Sequence, residues 1–196
     1  MITKQEVKRF TETHRDKDFS PAKYEYSLFL YKDIEDKMYD LANLVIQKDN
    51  AEEKANQQMI AEAQTAEDVI KLMRTKIPVT DRQKVILKAI AMEEETLPLI
   101  QKRALTNRQN IFIENALKYF LRCKTNCCEW ILENYRDFKS EYLKSMLCLV
   151  LGFRGNIDMI EFLIKEAERL EREYPNESFD QGPALAVQEL AVRFLN

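Results

Sequence analysis

Glycine and proline are scarce in this chain: three glycines and five prolines in 196 residues, about 4% together against about 12% in average usage. With so few residues that favour sharp reversals, the backbone is expected to be helical rather than built from hairpins and tight loops. Three glycines also cannot supply a glycine-rich phosphate cradle, and no Walker loop, G-x-G-x-x-G or G-x-S-x-G pattern occurs. Histidine occurs once, at His14. A Ser-His-Asp or Cys-His arrangement, or a metal site with two imidazoles, would therefore hang on that residue, which lies in a charged segment and reads as a surface histidine. Long apolar runs are missing too. The longest stretch without a charge, Ser145 to Phe153, has nine residues, half of the ~18 that a membrane-spanning helix needs.

What the chain does contain is 45% hydrophobic and 32% charged residues, a composition that excludes a disordered tail, a collagen-like fibre and a small disulfide scaffold. At this length one domain covering 1–196 is expected, large enough to bury its own core. The four cysteines, Cys123, Cys127, Cys128 and Cys148, sit in apolar or helix-like stretches with no signal peptide ahead of them. They read as free, buried thiols of a cytoplasmic protein. Net charge is −3, unevenly spread: residues 101 to 150 carry nine basic and five acidic side chains, and residues 151 to 196 carry five basic and nine acidic.

Helix start signals recur: Thr3 with Glu6, Ser20 with Pro21, Thr65 with Asp68, Thr80 with Gln83, and Ser140. Breaks fall at Ile77-Pro78, Thr106-Asn107, Gly152 to Asn156 and Tyr174-Pro175-Asn176. The pattern predicts about 12 helices, near 3–14, 21–32, 34–48, 51–63, 66–76, 81–94, 97–106, 109–122, 125–137, 141–152, 157–173 and 183–195, and no strands. A period of about thirty residues runs through them. Leu30, Ile60, Ile90, Phe120 and Val150 mark the first helix of successive pairs, and Leu41, Ile70, Ile100, Leu132 and Ile164 mark the second. The expected architecture is all-α, an α-α superhelix of about five antiparallel helical hairpins closed by the helix at 183–195.

The stretch Leu151-Gly152-Phe153-Arg154-Gly155-Asn156-Ile157-Asp158-Met159-Ile160-Glu161-Phe162-Leu163 resembles the turn and second helix of a HEAT-like repeat. There a Leu-Gly, two variable residues, Gly-Asp or Gly-Asn and an Ala-Val-x-x-Leu type helix start follow in fixed order. Gly152 and Gly155 are expected to take left-handed conformations that end one helix and reverse the chain, with Asn156 capping the next. Between Ala89 and Ile100 the likeness is partial: Leu97-Pro98-Leu99-Ile100 matches the start of a second helix, and Glu93-Glu94-Glu95 stand where glycines would be. The resemblance implies a right-handed HEAT-like or armadillo-like solenoid whose concave face binds a partner.

No residue pattern specifies chemistry, and no cofactor or metal is expected. Cys123 and Cys127, four apart, would share a helix face beside Cys128, but C-x2-C zinc spacing is absent. Carboxylate pairs such as Glu129 with Glu133, or Asp158 with Glu161, read as solvated faces, and Glu166 to Glu173 as a solvated helix with internal pairs. The function read from the sequence is a non-catalytic binding or scaffold module for a protein partner. Phe153 and Arg154 at a hairpin turn and Trp130, the single tryptophan, are the candidate contacts. The alternative is nucleic-acid binding through residues 102–124. That segment holds Lys102, Arg103, Arg108, Lys118, Arg122 and Lys124 against one acid, Glu114, with Phe112, Tyr119 and Phe120 interleaved. DNA alkylation-repair glycosylases built from HEAT-like repeats use a basic concave surface of this kind.

Overall fold

The computed structural model describes residues 3–13 and 51–195, and among these every regular element is helical. His14, the Ser20 cap, the helices expected at 21–32 and 34–48, and Leu30 and Leu41 lie outside the described residues. Ten α-helices are present among the described residues, where about 12 were expected for the whole chain: α1 Lys4–Thr13, α2 Ala51–Glu62, α3 Ala66–Leu72, α4 Val79–Ala91, α5 Glu93–Ala104, α6 Asn110–Arg122, α7 Cys128–Asn134, α8 Glu141–Arg154, α9 Ile160–Glu173 and α10 Gln181–Leu195. Short 3-10 turns at Tyr135–Asp137 and Ile157–Met159 extend α7 and introduce α9.

Three of the predicted caps form as the side-chain chemistry requires. The Thr3 hydroxyl accepts from the Glu6 amide while Glu6 accepts from the Thr3 amide, and Thr65 with Asp68 makes the same reciprocal box. The Ser140 hydroxyl accepts from the Leu143 amide at 3.2 Å. Thr80 does not cap a helix. Pro78, held extended at φ −52° and ψ 149°, precedes the first turn, and its carbonyl takes the first intrahelical bonds from Asp81 and Arg82. The second helix of that pair also begins earlier than expected, at Glu93 instead of residue 97, after a one-residue hinge at Met92. Three glutamates in its first turn complement the positive end of the helix dipole, which places Pro98 inside the helix and not at its start.

The glycines correct a second expectation. None of the three has a positive φ, and Gly155 is extended at φ −82°. Their role is close approach. A Cβ on Gly152 would stand 2.6 Å from the Ala186 Cα of α10, one on Gly155 would meet the Leu151 carbonyl, and one on Gly182 the Ser145 carbonyl. A glycine-to-alanine change in an exposed helix would gain about 1 kcal/mol. At Gly152 the sign reverses: the alanine variant is expected to lose about 1–3 kcal/mol to overpacking, read from the midpoint of urea denaturation. Asn156 does cap as expected, its side chain accepting from the Asp158 amide at 3.0 Å.

The helices pack largely in chain order. α2 lies against α4, α4 against α6, α6 against α8 and α8 against α10, while α3 packs on both α4 and α5, and α9 on α10. The thirty-residue positions Ile60, Ile90, Phe120 and Val150 all fall on the helices of that first series, and Ile70, Ile100, Leu132 and Ile164 on α3, α5, α7 and α9. α1 departs from chain order and lies against α10, burying Val7 and Phe10. The densest part of the core is central: Phe112, Tyr119, Phe120, Ile131, Phe138, Leu143, Leu147 and Leu151 are fully buried. Two polar contacts brace it. The Thr96 hydroxyl donates to the Ala89 carbonyl across the Met92 hinge and lies 3.2 Å from the Tyr119 hydroxyl, and the Asn115 amide donates to the Met73 carbonyl at 2.8 Å.

Candidate functional site

The C-terminal ends of α4, α6, α8 and α10 are tied in a row, and three of the sequence-predicted contact residues, Lys124, Phe153 and Arg154, lie along it. Glu93, just past α4, accepts from the amides of Lys124 and Thr125 at 2.7 and 2.8 Å, in the loop after α6. Arg154, the last residue of α8, donates to the Phe120 carbonyl at 2.6 Å and to the Lys124 carbonyl at 3.4 Å. Asn126 returns a bond to the Arg154 carbonyl at 3.2 Å. Arg193 near the end of α10 donates in turn to the carbonyls of Gly152 and Phe153, at 2.8 and 2.9 Å. Each arginine thus satisfies carbonyls that the preceding helix end leaves without intrahelical donors, and each adds a positive charge at the negative end of a helix dipole.

These bonds decide what the predicted residues do. The guanidinium of Arg154 is engaged with its own chain. Phe153 is half-buried and its carbonyl is held by Arg193. Trp130 is half-buried, with ring centroids 5.7 Å from Phe120 and 5.6 Å from Phe138. Lys118 and Arg122 are half-buried on α6 and Lys124 is exposed in the loop after it. Glu114, on the same helix as Lys118 and Arg122, pairs with Arg82 of α4 at 3.1 Å.

Within the row, Cys123 ends α6 and Cys127 precedes α7, so the two meet across a loop and do not share a helix face as their spacing implied. Their sulfurs are 3.9 Å apart, and Arg154 Nη1 is 3.3 Å from Cys123 Sγ. Both thiols lie within reach of the Thr125 carbonyl, at 3.2 and 3.6 Å. The adjoining Cys127 thiol, with help from the Arg154 guanidinium against the cost of burial, draws Cys123 below the ordinary cysteine range. The same contact, together with burial, pushes Cys127 above it. Burial above all pushes Cys128 up to about 11 in spite of Arg154 and Arg193. Glu93 keeps its charge although burial opposes it, because the amides of Thr125 and Lys124 hold its carboxyl below the usual value.

A second polar cluster sits between the 3-10 turn after α7, α8 and α9. The Tyr135 hydroxyl donates to buried Glu166 at 2.9 Å and lies 3.3 Å from Cys148 Sγ. Arg169 grips Glu166 through Nε and Nη2, Glu141 through Nη2 and Glu173 through Nη1, all within 2.6 to 2.8 Å. The segment from Glu166 to Glu173 therefore keeps its internal pairs but is not a wholly solvated face, since Glu166 is buried and joins two neighbouring elements.

Sequence reasoning missed Glu93, Arg193, Tyr135 and the buried part of Glu166. The available signals were an acid opening a helix and an arginine closing one, in two successive first helices. Among the described residues no group of three or more His, Cys, Asp or Glu is arranged to hold a metal ion, and no helix is long and apolar enough to cross a membrane. No family model matches the chain, and comparisons with curated proteins and with solved structures return no match.

Proposed function

We propose that the chain is a HEAT-like α-solenoid and works as a non-catalytic scaffold that binds a protein partner in the cytoplasm. The observation that carries this reading is the succession α2, α4, α6, α8 and α10, each first helix against the next, with Glu93, Arg154 and Arg193 tying neighbouring turns. Such nearest-neighbour construction builds an extended face instead of a single deep site. The second helices, α3, α5, α7 and α9, are read as carrying that face, and their exposed charges are acidic at Glu67, Asp68, Glu94, Glu95, Glu129, Glu133, Glu168, Glu171 and Glu173 against basic at Lys71, Lys102, Lys165 and Arg172, a net negative balance. An acidic surface favours a protein segment bearing lysine or arginine and repels phosphate. Four free cysteines support a reducing compartment.

The basic segment 102–124 is the alternative. Lys102 lies on a second helix, α5, whereas Lys118 and Arg122 lie on a first helix, α6, and Glu114 and Arg82 form an ion pair beside them. That division favours mixed-sign surfaces over one basic groove. Electrophoretic mobility of a duplex oligonucleotide at two salt concentrations separates the readings. No shift is expected at either concentration, and a shift that weakens steeply with salt would establish the nucleic-acid reading instead. For the protein partner, native-lysate capture with the wild-type chain is compared with a folded variant carrying Glu94, Glu95, Glu129 and Glu133 all as lysine. The wild type is expected to retain a stoichiometric partner that the variant loses, and identical recovery by both chains would sink the acidic-face reading.

A further inference from the structure

The loop that joins α6 to α7 brings two thiols, which the scaffold reading does not use, against a backbone carbonyl and the Arg154 guanidinium of α8. Cys123 and Cys127 are both buried, yet the three residues between them, Lys124, Thr125 and Asn126, are exposed. The pair belongs to the buried core but is covered on one side only by this short exposed loop. Their separation of 3.9 Å is close to van der Waals contact between sulfurs, so side-chain rotation must bring them nearer by about 2 Å to reach the disulfide length of about 2.05 Å. Cys128, next in sequence, points elsewhere and is within reach of the Val150 carbonyl at 3.8 Å, while Cys148 faces Tyr135. The four cysteines are thus not equivalent: one pair is juxtaposed beside a cation, and the other two are each alone.

We propose that Cys123 and Cys127 form a reversible dithiol–disulfide site that reacts with hydroperoxides, with Cys123 attacking and Cys127 resolving. Arg154 Nη1 at 3.3 Å from Cys123 Sγ supplies the positive charge that stabilises an anion on that sulfur by direct contact. In the thiol form the Cys123 proton rests on the Thr125 carbonyl, and on ionisation the Cys127 S–H is placed to donate to the Cys123 sulfur. The Cys123 thiolate attacks one oxygen of the peroxide. A sulfur–oxygen bond forms, the oxygen–oxygen bond breaks, and the departing hydroxide takes up the proton that Cys123 released, giving water and a sulfenic acid. Cys127 then loses its proton and attacks the Cys123 sulfur. The sulfur–oxygen bond breaks, the hydroxide leaves with that proton as a second water, and the disulfide holds the oxidation, two thiols having given two electrons to one peroxide. Oxidation removes the sulfur anion that Arg154 contacts, so the tie between the ends of α6 and α8 rests on the Phe120 and Lys124 carbonyls and on the Asn126 bond to the Arg154 carbonyl.

The test uses the reduced full-length chain treated with hydrogen peroxide, then denatured, alkylated, digested and mapped by mass spectrometry. The expected result is an intact mass lower by two hydrogens, a Cys123–Cys127 cross-link that dithiothreitol reverses, and Cys128 and Cys148 still alkylated. Cys127→Ser is expected to stop at a sulfenic acid on Cys123 that dimedone captures. For Arg154→Gln, the pH midpoint of Cys123 alkylation by iodoacetamide should rise, slowing the reaction about tenfold at neutral pH. The wild-type map decides the matter even where a variant fails to fold. A cross-link to any other cysteine, oxidation of Cys128 as fast as Cys123, or an unmoved midpoint in Arg154→Gln would overturn the proposal.

Discussion

Replacing Arg169 by methionine is expected to cost about 3 kcal/mol. Its guanidinium holds Glu141, Glu166 and Glu173 at 2.6 to 2.8 Å. Without it three carboxylates face one another, with Lys144 2.9 Å from Glu141 and Arg172 3.6 Å from Glu173 as the cations against them. Glu166 is buried, and the variant leaves its charge with the Tyr135 hydroxyl and little else. The cost therefore comes from an uncompensated buried charge more than from the bonds lost. Removing both partners together, as Arg169→Met with Glu166→Gln, should accordingly cost less than Arg169→Met alone. Chemical denaturation of the two singles and the double completes the cycle, and simple addition of the single losses would show that the pair is not coupled.

The same cluster gives a pH dependence of defined sign. Arg169 and Lys144 hold the Glu141 carboxyl below its ordinary value although partial burial opposes them. A carboxyl whose folded pKa is depressed contributes stability that is present above its unfolded pKa and lost as pH falls through the folded one. Tyr135 is displaced the other way: burial first, then the nearby Cys148 and Glu166, push its hydroxyl well above the ordinary tyrosine value. Its contribution is complete at neutral pH and fades once the pH exceeds about 10, where the unfolded tyrosine ionises and the folded one does not. Stability should fall at both extremes, and Arg169→Met should flatten the acid limb.

Local signals proved readable where the physics is local. Thr3, Thr65 and Ser140 cap because a hydroxyl needs only an amide three residues on, and Tyr174-Pro175 ends α9 because the ring fixes φ and removes a donor. In contrast, α3 already ends at Leu72, ahead of the break expected at Ile77-Pro78, and Pro78 instead opens α4. Thr80 misled because the proline two residues earlier had already started the helix. At Glu93 the match of Leu97-Pro98-Leu99-Ile100 to a repeat outweighed a plainer electrostatic signal, three acids at a helix start. The glycines could not be read correctly from their neighbours in sequence, since the groups that forbid a Cβ, Ala186 for Gly152 and Ser145 for Gly182, are 34 and 37 residues away. The cysteine pair failed for a related reason. Spacing of four means one face only if the helix continues, and here it stops at Arg122.

Phe120→Ala should cost about 3–5 kcal/mol and lower the melting temperature by about 10 °C. The ring is fully buried, 5.9 Å from Tyr119 and 5.7 Å from Trp130, and sits where α6 meets the turn held by Arg154. Phe120→Leu, which keeps most of the volume, should lose less than about 1.5 kcal/mol. The shape of the transition carries more than its midpoint. α6 stands in the middle of the succession from α2 to α10, with α4 on one side and α8 on the other. If stability is a sum over neighbouring hairpins, a cavity there weakens the link between the two halves, which then unfold at different denaturant concentrations. The apparent slope of the unfolding curve should fall along with the midpoint. An unchanged slope with a lower midpoint would mean that the chain unfolds as one body around a shared core. The scaffold reading would then have to stand on the acidic face alone.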